Sequence, residues 1–561
     1  MNILGISCHY HDSAACLIRN GKAVAAAQEE RFSRIKHDPT FPINAINYCL
    51  SEGRISIDDI DYIGFYEKPI LKFDRALHQY LETFPGSLWM FVKTMPSWLT
   101  EKLKVPSLVR KKLGYEGDVL FIEHHLAHAA SAYLVSPFKR AAILTVDAIG
   151  EWTSTSLGVG EANEITMIKE IRFPHSLGLL YSTVTAHLGF RVNNDEYKVM
   201  GLAAYGKPKY YEDFKEIIDV KEDGSYRLDM SYFDYHRKFH MFSERFAEKF
   251  GPSRTPESKI EQRHMDIAAS LQKITEEVLF KMLGHLYEIT KTDSLCMAGG
   301  VALNSVANGK ITRRAPFKKV YIQPASTDAG GSMGVAFFIY NSILGKKRGY
   351  VLDSPFLGPS FSENQIRRFL EQNKISYHEF RNEKEIARKT AELIYQNNIV
   401  GWFQGRMEWG PRALGNRSIL ANPCNPEMKD ILNRKVKHRE WFRPFAPVVP
   451  LEDAQRYFDV DIPVPFMTMV YPVKKEKRKF LPSVTHVDGS GRLQTIERKR
   501  NPLYYDLIRE FEKLSGFPVL INTSFNVRGE PIVCSPEDAY KCFKKTGIDY
   551  LVMGKFLISK I

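Results

Sequence analysis

Two stretches of this chain follow one plan, and that repetition restricts the fold more than any other feature. The opening predicts three short strands, Asn2–Cys8, Ala14–Ile18 and Ala23–Gln28, joined by polar turns such as Asn20-Gly21. From Ala141 the plan recurs. Ile3-Leu4-Gly5-Ile6 is echoed by Ile143-Leu144-Thr145-Val146, the second strand by Thr153–Val159, and Asn20-Gly21-Lys22 by Ala162-Asn163-Glu164. Gln28–Phe32 is echoed by Lys169–Phe173, and both end in Glu-x-Arg-Phe. Self-similarity of this kind points to an internal duplication. A strand ending in a polar loop and followed by a hairpin can grip a phosphate with its turn, and two copies facing each other make a nucleotide cleft.

Length and composition set the class. At roughly 100–200 residues per domain, 561 residues suggest about three structural units. An apolar share of 44% with 25% charged residues excludes disordered and fibrous classes. The net charge of +13 suits phosphate ligands, but spread over this length it is no nucleic-acid signature. The seven cysteines are scattered without a CxxC and read as reduced thiols. The opening residues lead us to expect no secretory signal, and the sequence holds no run of 18 or more apolar residues. The expectation is a cytoplasmic enzyme with no nucleic-acid or membrane partner.

Helices are predicted over Phe41–Glu52 and Ile267–Ile289, the latter preceded by a charged stretch, Pro252–Arg263. Ser294–Met297 and Lys319–Gln323 read as strands, each running into paired glycines that open a helix. The basic, then Pro/Gly-rich segment Gly345–Pro359 is the expected linker. It divides the chain into 1–350 and a second α/β unit, 351–561. The first part resembles the actin/hexokinase/acetate-kinase (ASKHA) superfamily through its duplicated hairpins.

His124 and His128, in EHHLAHAASAYL, are spaced to share one helix face, which suits a common metal ion. His125 points elsewhere. The alternative is a pair of partly buried polar histidines. Asp147 ends the apolar strand AAILTVD, and Asp328 follows VYIQP, so both carboxylates lie where ligands bind in α/β sheets. Together the four make a mixed N/O site for Fe²⁺, Mn²⁺ or Zn²⁺, with no thiolate to suggest structural zinc. For either aspartate the alternative is a helix N-cap. Gly150, Gly178, Gly300, Asn304 and the Gly330-Gly331 pair are candidate walls of a nucleotide cleft, each also consistent with an ordinary turn. In the second unit Arg412, Arg417, Arg443 and Arg492 sit among Gly, Pro and Trp. Their guanidinium forks suit phosphate, and Ser524 and Asn526 follow a strand.

These residues carry a resemblance. HDSA (His11–Ala14), HHLAHAASA, VDAIGE, YKVMGLAAYG, GGVALN, STDAGG, GPRALGNRS, FRPFAP and NTSFN, in this order, resemble the NodU/CmcH family of O-carbamoyltransferases. The resemblance implies a first domain similar to the metalloprotein that makes threonylcarbamoyladenosine in tRNA, and a YrdC-like second domain. The YrdC signature of Lys-x-Arg with Ser-x-Asn is matched by Lys437-His438-Arg439 and Ser524-Phe525-Asn526. It further implies that carbamoyl phosphate and ATP, with Mg²⁺, react in the second domain to give carbamoyladenylate, held by Arg412, Lys437, Arg439, Arg443, Arg492, Asn522, Ser524 and Asn526. The first domain would bind the adenylate through Asp147, Gly150, Gly178, Gly300 and Asn304 and transfer the carbamoyl group to a small-molecule or glycan hydroxyl. His11, Asp12 and the nearby His9 are candidates for the base, with Lys36 holding the acceptor. The aromatic loop Asp219–Arg254 is the candidate for acceptor choice. The rivals are a tRNA threonylcarbamoyl transferase, slightly favoured by charge but lacking a basic RNA-binding segment, and an ASKHA-fold kinase, which has no use for the histidine pair. A metal-dependent peptidase would need the glutamate of H-E-x-x-H, which HHLAH lacks.

Overall fold

The computed structural model describes residues Met1–Lys560. The chain forms two compact units, not the three that length suggests: Met1–Glu29, His37–Ala307 and Ile311–Leu352 in the first, and Glu30–Lys36, Asn308–Lys310 and Asp353–Ile561 in the second. The duplication accounts for the difference, because both copies lie within the first unit.

The first copy comprises β1 (Asn2–Ser7), β2 (Ala14–Arg19), β3 (Lys22–Gln28), β4 (Tyr62–Phe65) and β5 (Val119–Phe121), in the sheet order β3-β2-β1-β4-β5. The second comprises β6 (Arg140–Val146), β7 (Thr153–Glu161) and β8 (Glu164–Arg172). After the small hairpin β9 (Ile218–Val220) and β10 (Tyr226–Leu228) it adds β11 (Ser294–Ala298) and β12 (Lys319–Ile322), in the order β8-β7-β6-β11-β12. Strand directions repeat as well. β1 and β6 each pair antiparallel with their own hairpin and parallel with the next strand, β4 or β11. The hairpin turns Asn20-Gly21 and Ala162-Asn163 are equivalent, with Asn20 and Ala162 both left-handed at φ 49° and 50°. The echo breaks at its end. Glu170–Arg172 stays in β8, whereas Glu30–Ser33 winds into a helical turn.

Each copy closes with a helix, His124–Tyr133 after β5 and Asp328–Phe338 after β12, and these two helices pack on each other. Their small residues permit the approach: a Cβ on Gly334 would lie 1.9 Å from the Ala127 carbonyl oxygen. Gly330 and Gly331, expected as cleft walls, press against Ala325 and the Tyr66 ring, so they serve packing. Asp219–Arg254 is not an open loop. It holds the β9–β10 hairpin and the helix Glu244–Phe250, with Phe233, Phe246 and Phe250 buried.

The second unit is built on one mixed sheet. Its strands are β13 (His378–Glu379), β14 (Val400–Phe403), β15 (Arg417–Ala421), β16 (Ala446–Pro450), β17 (Met469–Pro472), β18 (Ser490–Ile496), β19 (Leu520–Ser524), β20 (Tyr550–Met553) and β21 (Phe556–Ser559). They run in the order β13-β21-β20-β14-β15-β19-β16-β18-β17. Helices Glu383–Tyr395 and Pro502–Ser515 cover it, burying Ile386, Ile394, Leu507 and Phe511 with Trp402 and Leu520. Segment Glu30–Lys36 is tied in by Arg31, which donates to Gly410 O at 2.9 Å, and by Arg34, which donates to Ile532 O at 2.7 Å and Pro531 O at 2.9 Å. Among the described residues no helix is long and apolar enough to cross a membrane.

Candidate functional site

The duplicated topology gathers four side chains at one point in the first unit. His124 and His128 lie one turn apart on the helix that closes the first copy, Asp147 follows β6, and Asp328 opens the helix that closes the second. All four are buried, and their ligand atoms lie within 4.8 Å of one another. His124 Nε2 is 3.0 Å from His128 Nε2 and 3.0 Å from Asp147 Oδ2, and His128 Nε2 is 3.2 Å from the same oxygen. Asp328 Oδ1 stands 3.6 Å and 3.8 Å from the two ring nitrogens. Neither aspartate is a helix N-cap: Thr327 occupies that position before Asp328, whose Oδ2 accepts from the Tyr66 hydroxyl at 3.3 Å. Glu151 steadies the helix that carries His124 and His128 by accepting from the His124 backbone N–H, 3.1 Å to each carboxylate oxygen, and from Lys68 N at 2.7 Å. His125 turns away and bonds Thr145 Oγ1 at 2.6 Å.

Two buried carboxylates here demand positive charge. The neighbouring carboxylates push His124 up to about 9, against a burial that favours the neutral ring. Burial acts to raise Asp147, but the two imidazoles hold it well below the usual carboxylate range. Two imidazole nitrogens and two carboxylate oxygens converging on one point, with no thiolate, fit a divalent ion of the Fe²⁺, Mn²⁺ or Zn²⁺ type.

The nucleotide-cleft candidates surround this tetrad unevenly. Gly300 N donates to Asp147 Oδ1 at 3.1 Å. A Cβ on Gly178 would stand 2.6 Å from the Asp147 carbonyl, and one on Gly150 would stand 3.0 Å from His124 Cβ. These three glycines therefore permit close backbone packing around the tetrad. Asn304 is committed to Gln272, which it both donates to (3.0 Å) and accepts from (3.1 Å).

The loop between β1 and β2 is the counterpart of the one that carries Asp147, and it holds His11 and Asp12. Burial disfavours a charged His11, but Asp328, Asp12 and Asp147 together push it up to about 10. Asp12 also meets a residue that sequence reasoning missed: its Oδ1 is 2.6 Å from His37 Nδ1. His37 lies 25 positions later, beside Lys36, and no local pattern links it to Asp12. Lys36, next in sequence to His37, falls in the second unit. There its charge helps depress Lys437.

Lys437 is the centre of the second cluster. It is 3% exposed and donates to Ser524 O, to Ser524 Oγ at 3.3 Å, and to Asn526 O and Oδ1 at 3.0 and 2.9 Å. Every one of these acceptors is a neutral oxygen. Burial, with Arg439 and Arg443, holds the ammonium well below its usual range. Arg439 is braced by Asn433 Oδ1 at 2.7 Å, and Arg443 pairs with Glu440 at 3.5 Å. Arg492 lies on β18 and Arg412 in the turn before β15, both half-buried. Asn522 is fully buried, donating to Ala413 O and Gln494 Oε1. Arg417, read as a phosphate ligand, is instead fully buried. It donates to the carbonyls of Gln404, Gly405, Asn416 and Pro359 and stacks on Phe403, so its role is structural.

Comparison with known proteins bears on both units. The family model for the carbamoyltransferase N-terminus matches residues 2–337, and that for the carbamoyltransferase C-terminus matches residues 391–560. The chain is 47% identical to an uncharacterized protein of Synechocystis sp., over 100% of this chain and 97% of that one. It is 38% identical to the nodulation protein NolNO of Sinorhizobium fredii, over 98% of this chain and 79% of that one. An uncharacterized protein of Methanocaldococcus jannaschii is 33% identical over the full length of both.

Proposed function

This chain belongs to the carbamoyltransferase family, and from that premise we propose that it is an ATP-dependent O-carbamoyltransferase working in two stages. Residues 351–561, the YrdC-like part, make the activated carbamoyl group; residues 1–350 transfer it to a hydroxyl of a small molecule or glycan. The observation that carries this reading is Lys437, buried between Ser524 and Asn526 beside two guanidiniums with no carboxylate among its acceptors. Such a charge is matched by phosphate. Water releases phosphate from carbamoyl phosphate, the resulting carbamate oxygen attacks the α-phosphorus of ATP, and pyrophosphate leaves as carbamoyladenylate forms. Lys437, Arg439 and Arg443 bind the phosphates, Mg²⁺ accompanies ATP, and the cations offset the charge that develops as pyrophosphate departs. Arg412 and Arg492 are assigned supporting contacts to the same anions.

In the first unit His11 or Asp12 takes the proton of the acceptor hydroxyl, whose oxygen attacks the carbamoyl carbon as the bond to AMP breaks. His124, His128, Asp147 and Asp328 would hold the divalent ion, Fe²⁺ in the first instance. When bound, it supplies positive charge against the two carboxylates and a Lewis-acid contact for the adenylate. Gly178, Gly150 and Gly300 keep the backbone close enough for Asp147 to keep its place. All seven cysteines are unpaired thiols, which suits the cytoplasm.

The test is exchange of labelled pyrophosphate into ATP, without acceptor. Exchange that depends on carbamoyl phosphate supports the reading. Exchange at the same rate in its absence, or none at all, overturns it.

A further inference from the structure

The loop that carries the proposed base is held by a side chain that the reaction scheme does not use. His37 stands between two oxygen acceptors, with Nδ1 2.6 Å from Asp12 Oδ1 and Nε2 2.8 Å from Asn194 Oδ1. The amide of Asn194 is itself oriented, because its Nδ2 donates to Asp195 Oδ1 at 2.6 Å. Asp195 is fixed in turn by the Arg191 backbone N–H at 3.1 Å and by Lys198 at 3.0 Å. Asn194 therefore presents oxygen, not nitrogen, to the ring. On the far side, Asp12 Oδ2 is 3.3 Å from His11 Nδ1. The result is one line of contacts, Asn194–His37–Asp12–His11, made entirely within the first unit.

The backbone around this line is unusual. His9, Asp12, His37 and Asn193 all have positive φ, at 80°, 54°, 56° and 58°. None is glycine, so each conformation must be imposed by its surroundings. Two backbone bonds help: His9 N donates to Pro39 O at 2.9 Å, and Ser13 N to Asp38 O at 3.0 Å. These bonds clamp the His11 loop to the segment carrying His37. A hydrogen-bonded partner behind the group that moves a proton is the usual means of fixing its orientation.

We propose that His37, oriented by Asn194, is a positioning residue for carbamoyl transfer, holding the Asp12 carboxylate toward His11. This rests on the two-stage reading above. Donation from Nδ1 keeps Asp12 Oδ1 occupied and leaves Oδ2 to His11. Without it the carboxylate is free to rotate, and His11 loses the oxygen that stands 3.3 Å from its Nδ1.

The experiment uses the full-length protein and water as the acceptor probe, so no natural acceptor is needed. Carbamoyl-phosphate-dependent formation of AMP reports transfer to water, and pyrophosphate exchange reports the earlier step. His37→Ala is expected to lower AMP formation about 100-fold while exchange stays at the unmodified rate. His37→Asn can donate to Asp12 from the Nδ1 position and is expected to recover about tenfold of that loss. His37→Gln, whose amide reaches the Nε2 position instead, should recover none. Equal losses in all three variants together with a lowered Tm would mean a merely structural role and overturn the proposal. So would full AMP formation by His37→Ala with exchange intact. Absence of carbamoyl-phosphate-dependent exchange in the unmodified protein overturns the two-stage reading itself, and this inference with it.

Discussion

The two clusters solve opposite electrostatic problems. In the first unit, buried Asp147 and Asp328 face two imidazoles, and the excess is negative; His124 is pushed up to about 9 in response. In the second, buried Lys437 faces neutral oxygens and two guanidiniums, and the excess is positive. Buried charge is costly unless compensated. One cluster is therefore suited to a cation and the other to an anion, and neither can take the other's role. They differ in construction too. The tetrad sits at strand ends and helix starts that the duplication puts in register. The Lys437 cluster sits where the π-helical turn Leu432–Lys437 meets the end of β19.

Replacing Lys437 should give the largest effect. Lys437→Ala is expected to lower carbamoyl-phosphate-dependent exchange about 1,000-fold, the range for losing a preorganised charge donor. Its metal content, measured by elemental analysis, should be unchanged. A Lys437→Ala protein that exchanges normally would mean that Ser524 and Asn526 hold a structural lysine.

His128→Ala attacks the other side of the comparison. Metal affinity and AMP formation should each fall by about 100-fold or more, beyond what even a supporting residue costs, with exchange spared. Retention of full metal content and full AMP formation would reduce the pair to core histidines.

Arginines within the second unit sharpen the contrast between structure and binding. Arg417→Ala leaves four backbone carbonyls without their guanidinium and should cost about 2 kcal/mol in urea unfolding. Arg443→Ala should leave the unfolding midpoint in place and lower exchange instead. The reverse pattern would exchange the roles assigned to them.

The smallest effect is expected at Gly178. Its added Cβ would stand 2.6 Å from the Asp147 carbonyl, so Gly178→Ala must shift that backbone. The expected cost is about 1 kcal/mol of stability, with a measurable weakening of metal binding, while Lys437-dependent exchange is unaffected. Unchanged metal binding would show that Asp147 tolerates the shift.

Much of the tetrad was legible because each of its residues carries a local signal. His124 and His128 have helical spacing, and Asp147 and Asp328 each follow an apolar strand. The duplication was legible for the same reason, since hairpins are written in strand patterns and turn residues such as Asn20-Gly21. His37 was not legible. Its link to Asp12 and Asn194 depends on three loops that meet only after folding, and loops have no periodicity. Arg417 misled because a guanidinium among Gly and Pro reads the same whether it binds phosphate or caps backbone carbonyls. Lys36 carried no signal for which unit it joins; the contacts of Arg31 and Arg34 decide that.

The sequence alone determined the repeated strand plan, the helical pairing of His124 with His128, and the Lys-x-Arg and Ser-x-Asn signatures. All of these are set by residue type and spacing over a few turns of chain. Only the tertiary structure decided that Asp328 is within 3.8 Å of both imidazoles, that Lys437 reaches Ser524 and Asn526, and that Arg417 is buried. The physical reason is range. Backbone propensity and hydrophobic period act between near neighbours, whereas charge compensation acts wherever packing brings groups separated by tens or hundreds of residues within a few ångströms.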